Sequence, residues 1–204
     1  MSSEIPPSIK SRPAYGTLSP VEANAHLLVA DDAGGAVILE MAKQVPTGFW
    51  DNAEILYVNT NPGSEHDHSA QLEALGCPRL YQGPTIEAAQ PRFRRSLERS
   101  KMGTQIYLTG SEQLLSIAMK TGMEAGLDYR GMQTQHRGSL ARRVQCVHCK
   151  GVTSDVTTQP ANCSHCGLLL LVRDHYSRRF AAFQGVNINA EDPTDIPEKE
   201  EVFL

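Results

Sequence analysis

The stretch His26-Leu-Leu-Val-Ala-Asp-Asp-Ala-Gly-Gly35 decides the fold of most of this 204-residue chain. Its apolar first half, residues 26–30, has the length of a buried strand, and residues 31–35 form a turn rich in aspartate and glycine. Apolar side chains then recur with helical spacing over residues 36–45. A strand, a short turn and a helix in this order predict the first half of a βαβ unit.

The same alternation of strand and helix continues as far as residue 135. Further strands are predicted at residues 55–58, 79–81, 105–109 and 131–135. Helices are predicted at residues 68–75, 85–101 and 112–124. Pro91 is expected to kink or split the second of these helices, and Gly126 to cap the third. This rhythm predicts an α/β domain with a mainly parallel sheet.

Near the carboxyl end, four cysteines form two pairs of the same spacing, Cys146-Val-His-Cys149 and Cys163-Ser-His-Cys166. Two Cys-x-x-Cys turns can bring four thiolates to the corners of one tetrahedron around a zinc ion. A four-thiolate site has no open coordination position, so the metal would stabilise a segment that is too short to build much core. The sequence therefore predicts a small zinc ribbon, with Cys146, Cys149, Cys163 and Cys166 as the metal ligands.

Iron is the main alternative to zinc, because rubredoxins also bind their metal with two Cys-x-x-Cys pairs and carry electrons. Rubredoxin pairs lie much farther apart than the thirteen residues between these two, and Lys150 stands where a glycine is typical. Disulfides are disfavoured because neighbours at i and i+3 rarely pair, and the fifth cysteine, Cys77, leaves an odd number. His148 and His165, inside the two pairs, are expected to face solvent rather than to bind the metal.

Composition divides the chain into four segments. The predicted segments are an extended arm at residues 1–19, an α/β nucleotide-binding-like domain at 20–139, the zinc ribbon at 140–190 and a mobile acidic tail at 191–204. The formal net charge of −4 argues against a nucleic-acid binder. The sequence begins without a secretory signal, and no apolar stretch approaches the about 20 residues of a membrane span. A cytoplasmic location, away from any membrane, is therefore expected.

In an open parallel sheet, ligands bind beyond the carboxyl ends of the strands. The first such end is the turn at residues 31–35, whose glycines would suit a pyrophosphate at the start of a helix. Asp31 and Asp32, however, would set two negative charges beside a bound phosphate. Residues 59–64, after the second strand, offer no arginine for the 2′-phosphate of NADP. Phosphate binding at this edge is therefore disfavoured unless both aspartates point away from it.

The order of segments over residues 26–135 resembles the NAD(P)-binding half of ferredoxin reductase-type flavoproteins. Those domains open with a strand and a glycine turn, and they close with a strand that ends in a Cys-Gly-Pro-like motif. In this chain, Asp31 and Asp32 stand in the glycine turn after the first strand. Thr109-Gly110-Ser111 stands in place of the Cys-Gly-Pro-like motif. The resemblance implies a parallel sheet of the same kind. The departures at both phosphate-binding ends indicate a degenerate NAD(P)-binding-like domain.

A second resemblance is carried by four runs of residues. They are Val144-Gln-Cys-Val-His-Cys149, Thr157-Thr-Gln-Pro160, Cys163-Ser-His-Cys-Gly167 and Val172-Arg-Asp-His-Tyr-Ser-Arg-Arg179. Over residues 144–186 the chain resembles the small accessory subunit of the dimethylamine monooxygenase family. The resemblance implies a subunit of a multi-subunit, cytoplasmic oxidoreductase that uses oxygen and NADPH to convert dimethylamine to methylamine and formaldehyde. It further implies a separate haem-bearing catalytic subunit and a separate reductase subunit with FMN and a [2Fe-2S] cluster.

The chain itself shows no Ser/His/Asp signature, paired-carboxylate motif, phosphate-binding loop or haem-attachment motif. A structural or docking role is therefore expected, with His175, Tyr176, Arg178 and Arg179 as the docking patch, since tyrosine and arginine are favoured at interfaces. A second basic run is expected to be mainly a solvated helix face; it comprises Arg92, Arg94, Arg95, Arg99 and Lys101. Besides the rubredoxin-like carrier, a nucleic-acid-binding ribbon and a small NAD(P)-dependent reductase acting alone are the alternatives.

Overall fold

A computed structural model describes residues 11–194 and 196–204 of the chain. The chain separates into two compact units. One spans Tyr15–Ser139, and the other comprises Leu140–Leu204 together with residues 11–14. Most of the predicted amino-terminal arm, residues 1–10, lies outside the described residues. Within the described ranges, no helix has the length and apolar character needed to cross a membrane.

The first unit is built on one five-stranded sheet in which every neighbouring pair of strands is parallel. Its strands are β1 (Ala25–Asp31), β2 (Ala53–Val58), β3 (Arg79–Gly83), β4 (Thr104–Gly110) and β5 (Met132–His136). Their order across the sheet is β3-β2-β1-β4-β5. The helices are α1 (Asp32–Ala42), α2 (Ser69–Glu73), α3 (Ile86–Arg99) and α4 (Glu112–Glu124). The predicted α/β class with a parallel sheet is confirmed.

Helices cover both faces of this sheet, because successive strand residues point to opposite sides. On one face, Leu28 of β1 belongs to the same buried cluster as Ile38 of α1. On the other face, Leu56 of β2 belongs to a cluster with Phe93 of α3 and Leu115 of α4. The continuous apolar runs of the central strands follow from this double coverage.

Two helices differ from the sequence prediction. Helix α1 begins at Asp32 rather than at residue 36, because the Asp31 carboxylate caps it by accepting a hydrogen bond from the Gly34 amide at 3.0 Å. Helix α3 runs through Pro91, so the predicted split is wrong. Pro91 lies on the exposed side of the helix, where water can satisfy the carbonyl that loses its partner.

The amino-terminal segment is attached to the sheet from Tyr15 onward. The Gly16 amide donates to the carbonyl oxygen of Thr134 at 2.8 Å, and the Leu18 amide donates to the side-chain oxygen of Gln135 at 2.7 Å. Leu18 is buried. The described end of the arm therefore lies along β5.

The second unit is a ribbon of short strands. They are β6 (Arg142–Cys146), β7 (Val152–Val156), β8 (Thr158–Gln159), β9 (Ala161–Asn162), β10 (Leu169–Ser177), β11 (Ala182–Asn187) and β12 (Glu200–Glu201). Five of them form one sheet in the order β7-β6-β11-β10-β9, while β12 pairs with β8. The core of this unit includes two of the four clustered cysteines together with Val144 and Leu170.

The end of the chain differs from the predicted mobile tail. Strand β12 pairs antiparallel with β8, and the amide of Phe203 donates to the carbonyl oxygen of Thr157 at 2.8 Å. The Phe203 side chain is only 7% exposed. An aromatic ring with a core to bury against outweighs the acidic composition that suggested a free tail.

Candidate metal centre

Each cysteine pair lies in a turn that joins two antiparallel strands. The first turn connects β6 to β7, and the second connects β9 to β10. In the first, the amide of Lys150 donates to the carbonyl oxygen of Cys146 at 3.0 Å. In the second, the amide of Gly167 donates to the carbonyl oxygen of Cys163, also at 3.0 Å. The two turns therefore close in the same way.

A second matched pair of backbone hydrogen bonds ties each turn to its strands. The Cys146 amide donates to the carbonyl oxygen of Gly151, and the Cys163 amide donates to that of Leu168, both at 2.9 Å. The two Cys-x-x-Cys segments are thus structural repeats. Each presents its two thiol groups from the same backbone frame.

The four sulfur atoms converge on one point. The Sγ atoms of Cys146 and Cys166 lie 3.8 Å apart, and those of Cys149 and Cys163 lie 3.6 Å apart. All four sulfur atoms lie within 4.8 Å of one another. Four thiolates at about 2.3 Å from a tetrahedral zinc ion would be separated by about 3.8 Å. The arrangement therefore fits a four-thiolate metal, and the four predicted ligands are brought together.

The surroundings of Cys163 favour its ionised form. Burial by itself raises the pKa of this thiol, but the amide groups of Cys166 and His165 and the neighbouring thiols of Cys166 and Cys149 stabilise the thiolate. The balance lowers the pKa of Cys163 to about 6. Although the Leu168 amide favours the thiolate of Cys166, burial and hydrogen bonds with the other three thiols raise the pKa of Cys166 to about 12. Cys163 is therefore the thiol of this pair that ionises first, and metals bind the thiolate form.

Neither histidine within the pairs takes part in the cluster. His148 is exposed, and Nε2 of His165 lies 3.1 Å from the backbone oxygen of Val152. A Cβ atom on Gly151 would lie 2.4 Å from the His165 ring, so glycine is required there for the ring to pack. Among the described residues, the cluster of possible metal ligands consists of the four cysteines alone.

The predicted docking patch is only partly at the surface. His175 and Arg179 are exposed and Arg178 is half-buried. Tyr176, however, is only 6% exposed, and its ring lies 5.1 Å from that of Phe183. An irregular register between β10 and β11 precedes Tyr176 and turns its side chain into the core. Tyr176 is therefore a core residue and is removed from the predicted patch.

The second basic run, on α3, lies mainly on an exposed helix face with local partners. Arg94 pairs with Glu124 at 3.3 Å, and Arg99 lies 3.6 Å from the carboxylate of Glu54. The Arg94–Glu124 pair is exposed on both sides and contributes little to stability, whereas Arg99 reaches the buried Glu54 side chain from the surface. The arrangement agrees with the expected solvated face.

Sequence reasoning missed Arg142, which is buried in the second unit. Its guanidinium donates to the Asp174 carboxylate at 2.6 Å and lies about equally close to two aromatic rings, 4.1 Å from Phe183 and 4.0 Å from Phe203. Arginine is usually exposed, and the two rings come from distant parts of the sequence. No local pattern could have indicated this contact.

The turn after β1 holds its two aspartates in different ways. The Asp31 carboxylate accepts hydrogen bonds from the Gly34 amide at 3.0 Å, the Ser111 amide at 2.8 Å and the Ser111 hydroxyl at 2.6 Å. The Asp32 carboxylate accepts hydrogen bonds from the amide and the hydroxyl of Thr60, beyond the end of β2. Both acids therefore point into the carboxyl edge of the sheet rather than away from it.

A parallel α/β domain followed by a four-cysteine ribbon defines a two-module metal-binding protein. The family described as dimethylamine monooxygenase subunit DmmA-like matches this chain in both modules, with its N-terminal domain over residues 7–132 and its C-terminal domain over residues 143–186. The chain belongs to this family.

A curated relative is similar over most of its length. The chain is 30% identical over 148 residues to the heme-dependent oxidative N-demethylase delta subunit of Ectopseudomonas mendocina (strain ymp). The alignment covers 69% of this chain and 83% of that protein.

A solved structure of phthalate dioxygenase reductase is also similar in part. It aligns with 67% of this chain at 16% identity and a TM-score of 0.44. The chain spans 46% of that reductase, which is described as a modular structure for electron transfer from pyridine nucleotides to a [2Fe-2S] centre. The α/β assignment rests on the strand order and strand directions described above.

Proposed function

We propose that this protein is a non-catalytic structural and docking subunit of a multi-subunit haem monooxygenase that removes a methyl group from dimethylamine. Family membership and the delta-subunit relative support a place in an oxygenase complex. In the proposed reaction, dimethylamine, oxygen, NADPH and a proton give methylamine, formaldehyde, water and NADP⁺. The proposed partners are a haem-bearing catalytic subunit and a reductase subunit with FMN and a [2Fe-2S] cluster, in the cytoplasm.

The observation that carries the non-catalytic role is the closed sulfur cluster. Four cysteine thiolates would fill all the coordination positions of a zinc ion, leaving none for a substrate or for water. Cys146, Cys149, Cys163 and Cys166 would hold the ion, and its contribution would be to fix the fold of the second unit. We assign zinc as the resident metal on the chemistry of this donor set.

The exposed tip between β10 and β11 is the docking surface that we propose. Arg178 and Arg179 lie there beside Phe180, whose ring is 42% exposed and 5.7 Å from the Arg179 guanidinium. His175 is exposed near the end of β10, just before this tip. An aromatic ring flanked by arginines is the type of side-chain group that anchors protein interfaces.

Co-expression of the subunits with and without this chain tests the role. We expect assembly and formaldehyde release to be lost without it, while the purified chain alone should release none. Full demethylation without this chain would overturn the accessory role.

A paired substitution tests the docking surface. Arg178→Ala with Arg179→Ala should weaken association with the complex at least about tenfold, or about 1.4 kcal/mol. The matched control is Arg92→Ala with Arg95→Ala, which removes the same charge from α3. Equal losses in both double variants would indicate a general charge effect and not this surface.

Iron in the same site is the alternative, because the paired turns and converging sulfurs would also suit a rubredoxin-like electron carrier. Metal content and the visible spectrum of the chain expressed alone decide between the two. One zinc per chain without colour supports the structural role. One iron with thiolate charge-transfer bands would place the chain in the electron path.

A further inference from the structure

The strand order places one crevice of the first unit where parallel sheets bind ligands. The chain adds β2 and β3 on one side of β1, and then returns to add β4 and β5 on the other. In folds of this kind, dinucleotides bind beyond the carboxyl ends of the strands at the point where the order reverses. Here that point lies between Asp31, at the end of β1, and Gly110, at the end of β4.

Two helices begin at this crevice, and their first amide groups would be the donors for a bound phosphate. The Gly34 amide lies in the first turn of α1, and Ser111 is the N-cap of α4. Both helices are longer than three turns. The Asp31 carboxylate accepts hydrogen bonds at the start of both helices. One oxygen accepts from the Gly34 amide, and the other accepts from the amide and the hydroxyl of Ser111.

The structure is shaped around this carboxylate. Asp31 is only 9% exposed, and Gly110 has a φ angle of +136°, which favours glycine. A Cβ atom on Gly110 would lie 2.2 Å from an Asp31 oxygen, so a side chain there would expel the carboxylate. The Ser111 hydroxyl donates to Asp31 while it accepts from the Leu114 amide at 3.4 Å. One serine thus caps α4 and binds Asp31.

We infer that Asp31 is the residue that excludes pyridine nucleotides from this domain, because its carboxylate already occupies the phosphate position of the fold. A pyrophosphate would have to displace three hydrogen bonds to Asp31 and then lie between the Asp31 and Asp32 carboxylates. Like charges at such short range oppose binding strongly in a partly buried site. The inference concerns this chain alone. That NADPH binds instead to another subunit rests on the proposed function.

Nucleotide binding to the purified chain tests the inference. Isothermal titration with NADPH, with ADP and with inorganic pyrophosphate would be compared in the wild-type chain, in Asp31→Ser and in Asp31→Asn. We expect no measurable binding to the wild type, and ADP and pyrophosphate binding at least about tenfold tighter in Asp31→Ser. The matched control is Asp51→Asn, which removes one exposed negative charge from the same unit outside the crevice.

Two results would overturn the inference. They are wild-type binding of NADPH that ADP displaces, and no gain in affinity in an Asp31→Ser chain that has a wild-type melting profile. Asp31→Asn keeps the shape of the side chain but removes its charge and one of its two acceptor oxygens. It serves if the serine variant does not fold, and tighter pyrophosphate binding than in the wild type is expected there too. Each of these outcomes leaves the docking role untouched, because no partner subunit is present in the titration.

Discussion

The ring centroid of Phe203 lies 4.0 Å from the guanidinium carbon of Arg142, and that of Phe183 lies 4.1 Å from the same atom. Arg142 is 5% exposed, and its charge is balanced by Asp174 at 2.6 Å. The last residues of the chain thus help to desolvate a buried cation, which is favourable only while all its partners are in place.

Phe203→Ala should destabilise the second unit by about 3 kcal/mol or more, through the loss of a buried ring and of one cation–π contact. The measurement is hydrogen exchange of the amides in β6 and β11 in the metal-loaded protein. Leu204→Ala is the control: its side chain is 71% exposed, and we expect a change below about 0.5 kcal/mol. Equal protection in wild type and Phe203→Ala would contradict the contribution of this contact.

Cys146→Ser should abolish tight metal binding and unfold the second unit, because metal binding in such domains contributes on the order of 10–16 kcal/mol. Metal content by mass spectrometry and the dispersion of β6–β11 amide resonances would be measured together. Cys77→Ser is the matched control, since that thiol lies in the first unit, 3.2 Å from the carbonyl oxygen of Ala53. A folded second unit without metal would refute the structural role of the cluster.

Lys150→Gly should stabilise the metal-loaded protein by about 1 kcal/mol, because Lys150 adopts a left-handed conformation that glycine reaches without strain. Its φ angle is +64°, and the matching residue of the second turn, Gly167, has +75°. Gly167→Ala should cost a similar amount in the opposite direction. The denaturant midpoints of Lys150→Gly and Gly167→Ala would be measured. If both midpoints shifted in the same direction, the two turns would not be equivalent at this residue.

Acid stability should depend on His26. Burial lowers the pKa of His26 below its usual 6.5, where its ring stacks on Phe49 at a centroid distance of 3.8 Å. The unfolded chain therefore binds this proton more tightly than the folded chain. The contribution of neutral His26 to stability is fully present above pH 6.5, and it is lost as the pH falls through the lower folded pKa.

His26→Phe should flatten the pH dependence of unfolding below about pH 6.5, while it keeps a ring against Phe49. Unfolding midpoints across this pH range give the answer. His66→Gln, which changes an exposed histidine of the same unit, should leave the wild-type slope unchanged. A slope that persists in His26→Phe would assign the acid sensitivity to other groups.

Gly34→Val should destabilise the first unit by about 3 kcal/mol or more, because α1 packs directly against β4 at this residue. A Cβ atom on Gly34 would lie 2.2 Å from the carbonyl oxygen of Thr109. Thermal unfolding measures the loss, with Gly131→Ala as the control, since a Cβ there meets no atom within 4 Å. The variant therefore reports on helix packing and is unsuited to testing nucleotide binding. A wild-type melting temperature would contradict the close approach.

The sheet and the cysteine cluster could be predicted because each depends on local sequence. The run from His26 to Ala30 carries its own strand signal, and the Cys-x-x-Cys spacing by itself brings two thiols onto one turn. The helix from Glu112 to Glu124 was also predicted with its observed bounds, since Ser111 caps its start and Gly126 follows its end.

The remaining features depend on contacts that the sequence does not display. The Phe203 ring packs on Arg142, which lies in β6, far from Phe203 along the chain. Tyr176 turns inward because of an irregular register with β11, which alternation along β10 alone could not show. The sequence shows Asp31 as an obstacle to phosphate. Its hydrogen bonds to Ser111 depend on β4 lying beside β1, which the sequence alone does not show.

The pairing of β12 with β8 also bears on how the protein avoids aggregation. A short strand such as β8 would otherwise present unpaired amide and carbonyl groups, to which a strand of another molecule could add. The chain covers this edge with its own residues, and the new outer strand carries Glu200 and Glu201, both exposed. Adjacent negative charges on an outermost strand oppose the addition of a strand from another molecule. The segment that buries Phe203 therefore also protects this edge from edge-to-edge aggregation.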